Sequence, residues 1–275
     1  MSDPSRTGKL TIDVADVELD TAGAAPDQLS IEYSWWGEPA SDPADQLVIV
    51  LLHEGLGSVA QWRNVPADVH DRTGLAVFAF NRWGYGASTP APGGFGVNFM
   101  HTEGLQLLPR VLAAAAIDRC ALVGHSDGGS ISLIAAGSGS VRPDGVLVIA
   151  PHIYVERECA AGIVSIAGKR EQIVAGLARH HSNPGATFDA WNKVWLHPDF
   201  QSWDIRSYLP QITCPVLAVQ GVDDEYATEA MIVEIDAAVP QSRGAVLVPD
   251  CGHIAHRDQP GPITELIAAF ATDLA

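Results

Sequence analysis

The most distinctive chemical feature of the chain is a serine between two glycines, in the segment Gly124-His125-Ser126-Asp127-Gly128. The apolar run CALV precedes this segment and the run SISLIAA, with helical spacing, follows it, so a strand-to-helix turn is expected at the serine. Such a turn is too tight for a side chain at position 124 or 128, and it presents the serine hydroxyl at the sheet edge. The G-x-S-x-G pattern therefore predicts that Ser126 is a nucleophile.

A serine nucleophile needs a base within hydrogen-bond reach, and the base needs a carboxylate to orient it. Among the ten histidines, His253 follows the strand-like run GAVLV and precedes the last helical segment, so we predict that it is the base. His256 is expected to be solvated or to lie behind the site. The run Gly221-Val222-Asp223-Asp224-Glu225 ends another strand-like run and offers three candidate carboxylates.

The hydrophobic pattern predicts the strands and helices that position these residues. Helical patterns alternate with the later strand-like runs from about residue 47 onward, including 101–116, 130–136, 228–239 and 260–274. The expected fold is α/β, with a mostly parallel sheet of eight strands and helices on both faces. The strand-like runs begin near Leu10, Leu29, Leu47, Leu75, Cys120, Gly145, Pro215 and Gly244.

One segment interrupts the alternation. Residues 152–209 contain helical patterns and three tryptophans but no strand-like run, which predicts a helical cap between core segments 1–151 and 210–275. The alternative is a helical excursion that only stabilises the fold. Trp191 and Trp195 are four positions apart on one predicted helix face, so they belong either to the interior of the cap or to a pocket wall.

Composition limits the possible partners. The 275 residues are 47% hydrophobic, and 16 basic against 33 acidic residues give a net charge of -17, which disfavours binding to nucleic acid or anionic membranes. No apolar run is long enough to span a membrane, and no leader sequence is recognisable. The four cysteines lie far apart without metal-ligand spacing, so we expect reduced thiols, no structural metal and a cytoplasmic location.

Several segments together resemble the α/β-hydrolase family over the region from about Leu47 to the C-terminus. They are the serine turn and the segments His53 to Ser58, Asn81 to Ser88, Gly221 to Asp224 and Gly252-His253.

The resemblance implies which residues complete the site. It implies that the acid is Asp224, with Asp223 as the alternative if the turn is one residue shorter. It also implies that the backbone N–H groups of Asp127 and Leu56 form an oxyanion hole, with Gly55 in place of Leu56 under a different alignment.

The sequence also departs from the family pattern. Glu54 stands where a histidine is usual, and it is either a paired turn residue or a polar wall of the pocket. Arg82 matches a turn whose role is structural, whereas Trp83 replaces a usual glycine and either faces the site or covers the sheet edge. The candidate pocket residues are Glu54, His125, His152, Trp191 and Trp195.

The expected function is hydrolysis of an ester-like bond in an uncharged or apolar small molecule through an acyl-enzyme on Ser126. Hydrolysis of a C–C bond in a diketone-type substrate is the alternative, and a ligand receptor or a cofactor-independent oxygenase are rivals of other classes. A serine at this turn disfavours epoxide hydrolases and haloalkane dehalogenases, which need a carboxylate there. We expect no cofactor, and a homodimer remains open.

Overall fold

The computed structural model describes residues 3–21, 23–24, 26–39, 42 and 46–275. The described residues form one eight-stranded sheet in the order β1-β2-β4-β3-β5-β6-β7-β8. Strand β2 is antiparallel to both of its neighbours and all other pairs are parallel, which confirms the predicted fold class. The strands are β1 (Arg6–Asp13), β2 (Gln28–Trp36), β3 (Leu47–Leu52), β4 (Ala76–Phe80), β5 (Arg119–His125), β6 (Gly145–Ile149), β7 (Val216–Gly221) and β8 (Ser242–Val248).

Helices cover both faces of this sheet. The helix that we predicted over 101–116 begins two residues earlier and contains a π-helical turn, Glu103–Leu107, between α2 and α3. The structure also adds α1, which the predicted segments did not include. The helices are α1 (Val65–Thr73), α2 (Phe99–Thr102), α3 (Leu108–Ala114), α4 (Asp127–Ser138), α5 (Arg157–Ala167), α6 (Arg170–Leu177), α7 (Pro184–Trp195), α8 (Ala230–Ala238), α9 (Ala255–Asp258) and α10 (Pro260–Thr272).

The central strands are apolar along their whole length because both of their faces are buried. In β3, Val48 and Val50 pack in the larger hydrophobic cluster together with α4. Ile49 and Leu51 point the other way and pack in a second cluster with α1 and α10. The parallel strands end at one edge of the sheet, so the turns after β3, β5, β7 and β8 lie near one another.

The segment between β6 and β7 contains α5, α6, α7 and two 3-10 helices, Pro198–Ser202 and Arg206–Gln211. Several of its side chains belong to the larger hydrophobic cluster, so the segment packs against the side chains of the sheet. The cap boundaries at 152 and 209 stay a prediction.

Two expectations drawn from composition can be compared with the described residues. The cysteines at positions 120, 159, 214 and 251 are free and buried. No helix in the described part of the chain has the length and apolar character needed to cross a membrane.

Candidate active site

Ser126 occupies the turn between β5 and α4 in a strained backbone conformation. Its φ of 53° and ψ of -120° are uncommon for a residue with a side chain. The backbone N–H of Ser126 donates to the Ile149 carbonyl at 2.9 Å, which anchors the turn to β6. A Cβ atom on Gly124 would collide with the Gly128 carbonyl, and one on Gly128 would collide with the Leu52 carbonyl. Both glycines are therefore required by close backbone approach.

The structure brings Ser126, His253 and Asp224 into one hydrogen-bonded chain. His253 Nε2 lies 3.0 Å from the Ser126 hydroxyl oxygen, and His253 Nδ1 lies 3.0 Å from both Asp224 carboxylate oxygens. The Tyr226 backbone N–H also donates to Asp224 at 2.8 Å. Asp223 is exposed, whereas the Asp224 side chain is 1% exposed, so this geometry favours Asp224 over its neighbour. Catalysis by the three residues stays a prediction.

The surroundings prepare the pair of His253 and Asp224 for proton transfer. Burial lowers the pKa of His253, but the hydrogen bond and charge of Asp224 raise it by more, so the pKa lies above its usual value. Burial raises the pKa of Asp224, but the hydrogen bond and charge of His253 and the hydrogen bond from the Tyr226 N–H together outweigh burial and hold that pKa below its usual value. The carboxylate therefore stays ionised and stabilises a positively charged imidazolium.

A second histidine, His152, lies beside the pair of His253 and Asp224. Its ring centre is 5.9 Å from that of His253. Burial, followed by the neighbouring His253, lowers the pKa of His152 to about 3. His152 is therefore a neutral wall residue at pH 7.

The predicted oxyanion donors lie on the two turns that flank Ser126. Asp127 is the first residue of α4, where backbone N–H groups have no partner within the helix. Leu56 and Gly55 line the same cavity as Ser126. Trp191 covers Gly55 so closely that a Cβ there would collide with the indole nitrogen. The role of Leu56 and Asp127 in an oxyanion hole stays a prediction.

A cavity of about 450 Å³ opens above Ser126. Glu54, His152, Trp191 and Trp195 line it, so these four predicted pocket residues are brought together with the serine. His125 is not among the lining residues, because it is fully buried behind the wall. Sequence analysis did not identify the remaining apolar wall, which comes mainly from α5, α6 and the β7 turn: Ile163, Ile166, Ile173, Leu177 and Tyr226.

Tyr226 is the member of this wall that sequence analysis could have found, because it follows the acid by two positions. Its ring centre lies 4.8 Å from that of His253. The isoleucines and the leucine carry the helical spacing of any buried helix face, so nothing in the sequence distinguishes them from core residues.

Glu54, His125 and His256 form a group beside Ser126 and His253, in which only Glu54 is partly exposed. His125 Nδ1 lies 3.3 Å from Glu54 Oε2. Burial raises the pKa of Glu54, but the hydrogen bond to His125 and the charges of the surrounding histidines together lower it by more, so Glu54 is ionised. His256 is 1% exposed, so it is not solvated, and burial lowers its pKa to about 3. Its ring packs on Trp62, with the ring centres 4.8 Å apart.

Arg82 connects the two turns that carry the predicted oxyanion donors. Its buried guanidinium donates from Nη2 to the Glu54 carbonyl at 3.2 Å, and the same nitrogen lies 3.6 Å from Asp127 Oδ2. Burial raises the pKa of Asp127 to about 6, although Arg82 opposes the shift. Trp83 is buried against Phe95, donates to a carbonyl with its indole N–H and does not line the cavity, so it covers the sheet edge.

Comparisons with known proteins identify the family of the chain. Residues 49–266 match the profile of the alpha/beta hydrolase family. Esterase YbfF of Escherichia coli (strain K12) is 25% identical to the chain over 187 residues, which are 61% of this chain and 73% of YbfF.

Solved structures share the fold at low sequence identity. A thermophilic esterase from Thermogutta terrifontis matches with a TM-score of 0.72 and 17% identity, covering 98% of this chain and 99% of its own. The enol-lactonase from Burkholderia xenovorans LB400 matches with a TM-score of 0.67 and 19% identity, covering 89% of this chain and 97% of its own.

Proposed function

The chain is a hydrolase of the alpha/beta hydrolase family, and we propose that it cleaves ester-like bonds of uncharged or apolar small molecules through an acyl-enzyme on Ser126. The observation that carries the proposal is the chain of 3.0 Å contacts from Asp224 through His253 to Ser126. A hydroxyl with a base in contact, and a base with an ionised carboxylate in contact, is the arrangement that activates serine for acyl transfer.

Acylation begins when the Ser126 oxygen attacks the ester carbonyl carbon and His253 Nε2 takes the hydroxyl proton. The carbonyl oxygen becomes negative and is stabilised by the backbone N–H groups of Leu56 and Asp127. The tetrahedral intermediate collapses, the bond from carbon to the leaving oxygen breaks, and His253 returns its proton to the leaving alcohol. The imidazolium formed on the way is stabilised by Asp224.

Deacylation repeats these steps with water. His253 takes a proton from the water, the resulting hydroxide attacks the acyl carbon, and the bond to Ser126 breaks. The serine oxygen recovers its proton from His253, and the carboxylic acid leaves. Every proton that moves passes through His253, so one general base serves both halves of the reaction.

The cavity supports the choice of substrate class. Its wall includes tryptophan and isoleucine side chains and the neutral His152, which favours an apolar acyl group. The esterase and enol-lactonase with the same fold act on bonds of the ester type, which agrees with this choice. Segment 152–209 supplies much of the wall, and we assign it the role of a substrate-selecting cap.

The proposed location of the hydrolase is the cytoplasm. The four cysteines are free and buried, and reduced thiols persist in a reducing compartment. Subcellular fractionation of the source cells with an antibody to the chain tests this assignment.

The first prediction concerns the nucleophile. Ser126→Ala is expected to lower kcat for p-nitrophenyl acyl esters by about 10⁴-fold or more, because the acyl-enzyme has no other oxygen on which to form. Ser138→Ala is the matched control, since Ser138 is an exposed serine at the end of the same helix. Activity should be measured on esters of increasing chain length, beside a panel of β-diketones.

Covalent labelling separates the remaining hypotheses. Intact mass after treatment with a fluorophosphonate should show one added group on the wild type and on Ser138→Ala, and none on Ser126→Ala. Labelling without turnover of any ester would contradict the proposal and indicate a ligand receptor. Turnover of diketones but not esters would instead indicate C–C bond hydrolysis.

A further inference from the structure

Three side chains of metal-ligand type meet beside the cavity, and the proposed reaction assigns no step to any of them. One carboxylate oxygen of Glu54 and one ring nitrogen each of His125 and His256 lie within 4.8 Å of one another. They come from the turn after β3, the end of β5 and helix α9. In the part of the chain that the structure describes, no other three His, Cys, Asp or Glu side chains bring ligand atoms this close.

The contacts of the His125 ring place one of its nitrogens, as an acceptor, next to a second hydrogen-bond acceptor. His125 Nε2 lies 2.9 Å from the His253 carbonyl oxygen, which can only accept, so Nε2 carries a proton and donates. In the neutral ring, Nδ1 then carries no proton and can only accept a hydrogen bond. It lies 3.3 Å from the Glu54 carboxylate, which also can only accept. A cation beside both groups satisfies them. Donation of the other ring N–H to a backbone carbonyl is the usual arrangement of a metal-bound histidine.

His256 provides a second, independent observation. It is 1% exposed, and its ring has only a loose hydrogen bond to the Gln61 backbone, which leaves the other ring nitrogen without a partner. The ring is held between Trp62, at 4.8 Å between ring centres, and His125, at 4.9 Å. Buried polar atoms are normally satisfied, so the unpartnered nitrogen of this imidazole indicates an occupant of the space beside it.

The Glu54 carboxylate lies in a space that a glycine leaves open. A Cβ atom on Gly57 would collide with the Glu54 carboxylate oxygens and displace them from His125. The Glu54 backbone is fixed as well, because its carbonyl accepts hydrogen bonds from Gly57 N–H at 3.0 Å and from Arg82 at 3.2 Å. The carboxylate is therefore held in place by the surrounding fold.

We propose that Glu54, His125 and His256 bind one divalent transition-metal ion, and that this ion is Zn²⁺. Two imidazole nitrogens and a carboxylate oxygen are ligands that zinc accepts, whereas Mg²⁺ and Ca²⁺ prefer sets of oxygen ligands. The ion joins the turns that carry the predicted oxyanion donor, nucleophile and base. Its role is to fix these turns relative to one another, and it takes no part in bond making.

The alternative cation is a second proton on His125. It would give a buried ion pair with Glu54, at the 3.3 Å separation that the structure has. A proton joins only those two groups, however, and leaves one nitrogen of the buried His256 without a partner. A metal ion takes all three ligands at once, which is why the geometry favours it.

Metal analysis of the full chain tests the proposal. The protein is purified without a polyhistidine tag, stripped with a chelator, incubated with Zn²⁺ and desalted, and bound zinc is measured by mass spectrometry. A zinc-binding dye in competition gives the affinity. The variants are His256→Gln and Glu54→Gln, and the control is His197→Gln, which removes an exposed histidine that lies beside Asp199. Circular dichroism checks that each variant is folded.

The expected result for the wild type and for His197→Gln is about one zinc per chain. Loss of a ligand should weaken binding by about 100-fold or more, since even residues behind the ligands contribute about 10- to 100-fold. Cobalt(II) should give visible absorption bands in the wild type that are absent in Glu54→Gln. Wild-type protein that retains no zinc overturns the proposal in favour of the proton. Equal zinc in the wild type and Glu54→Gln also overturns it, and this comparison stands if His256→Gln does not fold.

Discussion

Three consecutive carboxylates after β7 have different surroundings and therefore different expected roles. Asp223 is exposed to solvent. Asp224 is buried and contacts His253 Nδ1 through both of its oxygens. Glu225 accepts the backbone N–H of His253 at 3.2 Å, so it supports the loop and leaves the imidazole to Asp224. Only one of the three carboxylates can fix the tautomer of the base.

The second prediction follows from this difference. Asp224→Asn is expected to lower kcat by about 10⁴-fold, the loss known for the equivalent change in a serine protease, because the amide favours the wrong tautomer. Asp223→Asn is the matched control and should change kcat by less than about threefold, since a solvent-facing charge is screened. Steady-state kinetics on a p-nitrophenyl ester measure both. The reverse pattern would move the acid to Asp223.

The third prediction concerns pH. His253 acts as a base only when it is neutral, so kcat/KM should rise as pH rises through its pKa. Burial lowers this pKa but Asp224 raises it by more, so the midpoint should lie above the ordinary histidine value of about 6.5. A pH profile of kcat/KM gives the midpoint, and Asp224→Asn should shift it downward. A midpoint unchanged in that variant would show that a group other than His253 controls the rise of kcat/KM with pH.

At the scale of elements, the site is built where four parallel strands end. The predicted nucleophile, acid, base and second oxyanion donor follow four different strands, so the turns must keep a fixed spacing. Arg82 contributes to that spacing, since its guanidinium contacts both the turn after β3 and the first residue of α4. Helix α7 closes the site from above through the contact between Trp191 and Gly55.

The fourth prediction tests the contribution of α7. Trp191→Ala should lower kcat/KM for a long or aromatic acyl ester by about 10-fold relative to the acetyl ester, because the variant loses apolar contact with the acyl group. Trp203→Ala is the control, since Trp203 is buried against Phe200 but does not line the cavity. It should lower stability by about 3–5 kcal/mol without changing selectivity. Equal selectivity in the two variants would show that α7 does not contact the substrate.

At the scale of the whole molecule, the sequence predicts what depends on local pattern. The eight strands are recognisable because each carries a continuous or alternating apolar run. Ser126 is recognisable because the two glycines that its turn requires lie within the same five residues. The burial of His125 and His256 could not be predicted, since their neighbours Glu54 and Trp62 come from distant parts of the chain. For the same reason we expected no structural metal, whereas the folded chain brings a set of zinc-type ligands together.

The fifth prediction is that the segment of residues 152–209 unfolds together with the sheet. One hydrophobic cluster contains Trp191 and Trp195 of α7 as well as Val48 of β3 and Leu122 of β5, so opening the segment exposes the core. Hydrogen exchange measured by mass spectrometry at rising urea should give α7 and β5 opening free energies that agree within about 1 kcal/mol.

Helix α6 is the internal control for this measurement. Leu177 is its one buried residue, so α6 should exchange through local opening at a lower free energy than α7. If α7 instead lost its protection at low urea together with α6, the whole segment would open independently of the sheet. A cap that opens in this way would admit substrate by local unfolding, whereas a cap packed in the common cluster requires substrate to enter through the existing mouth of the cavity.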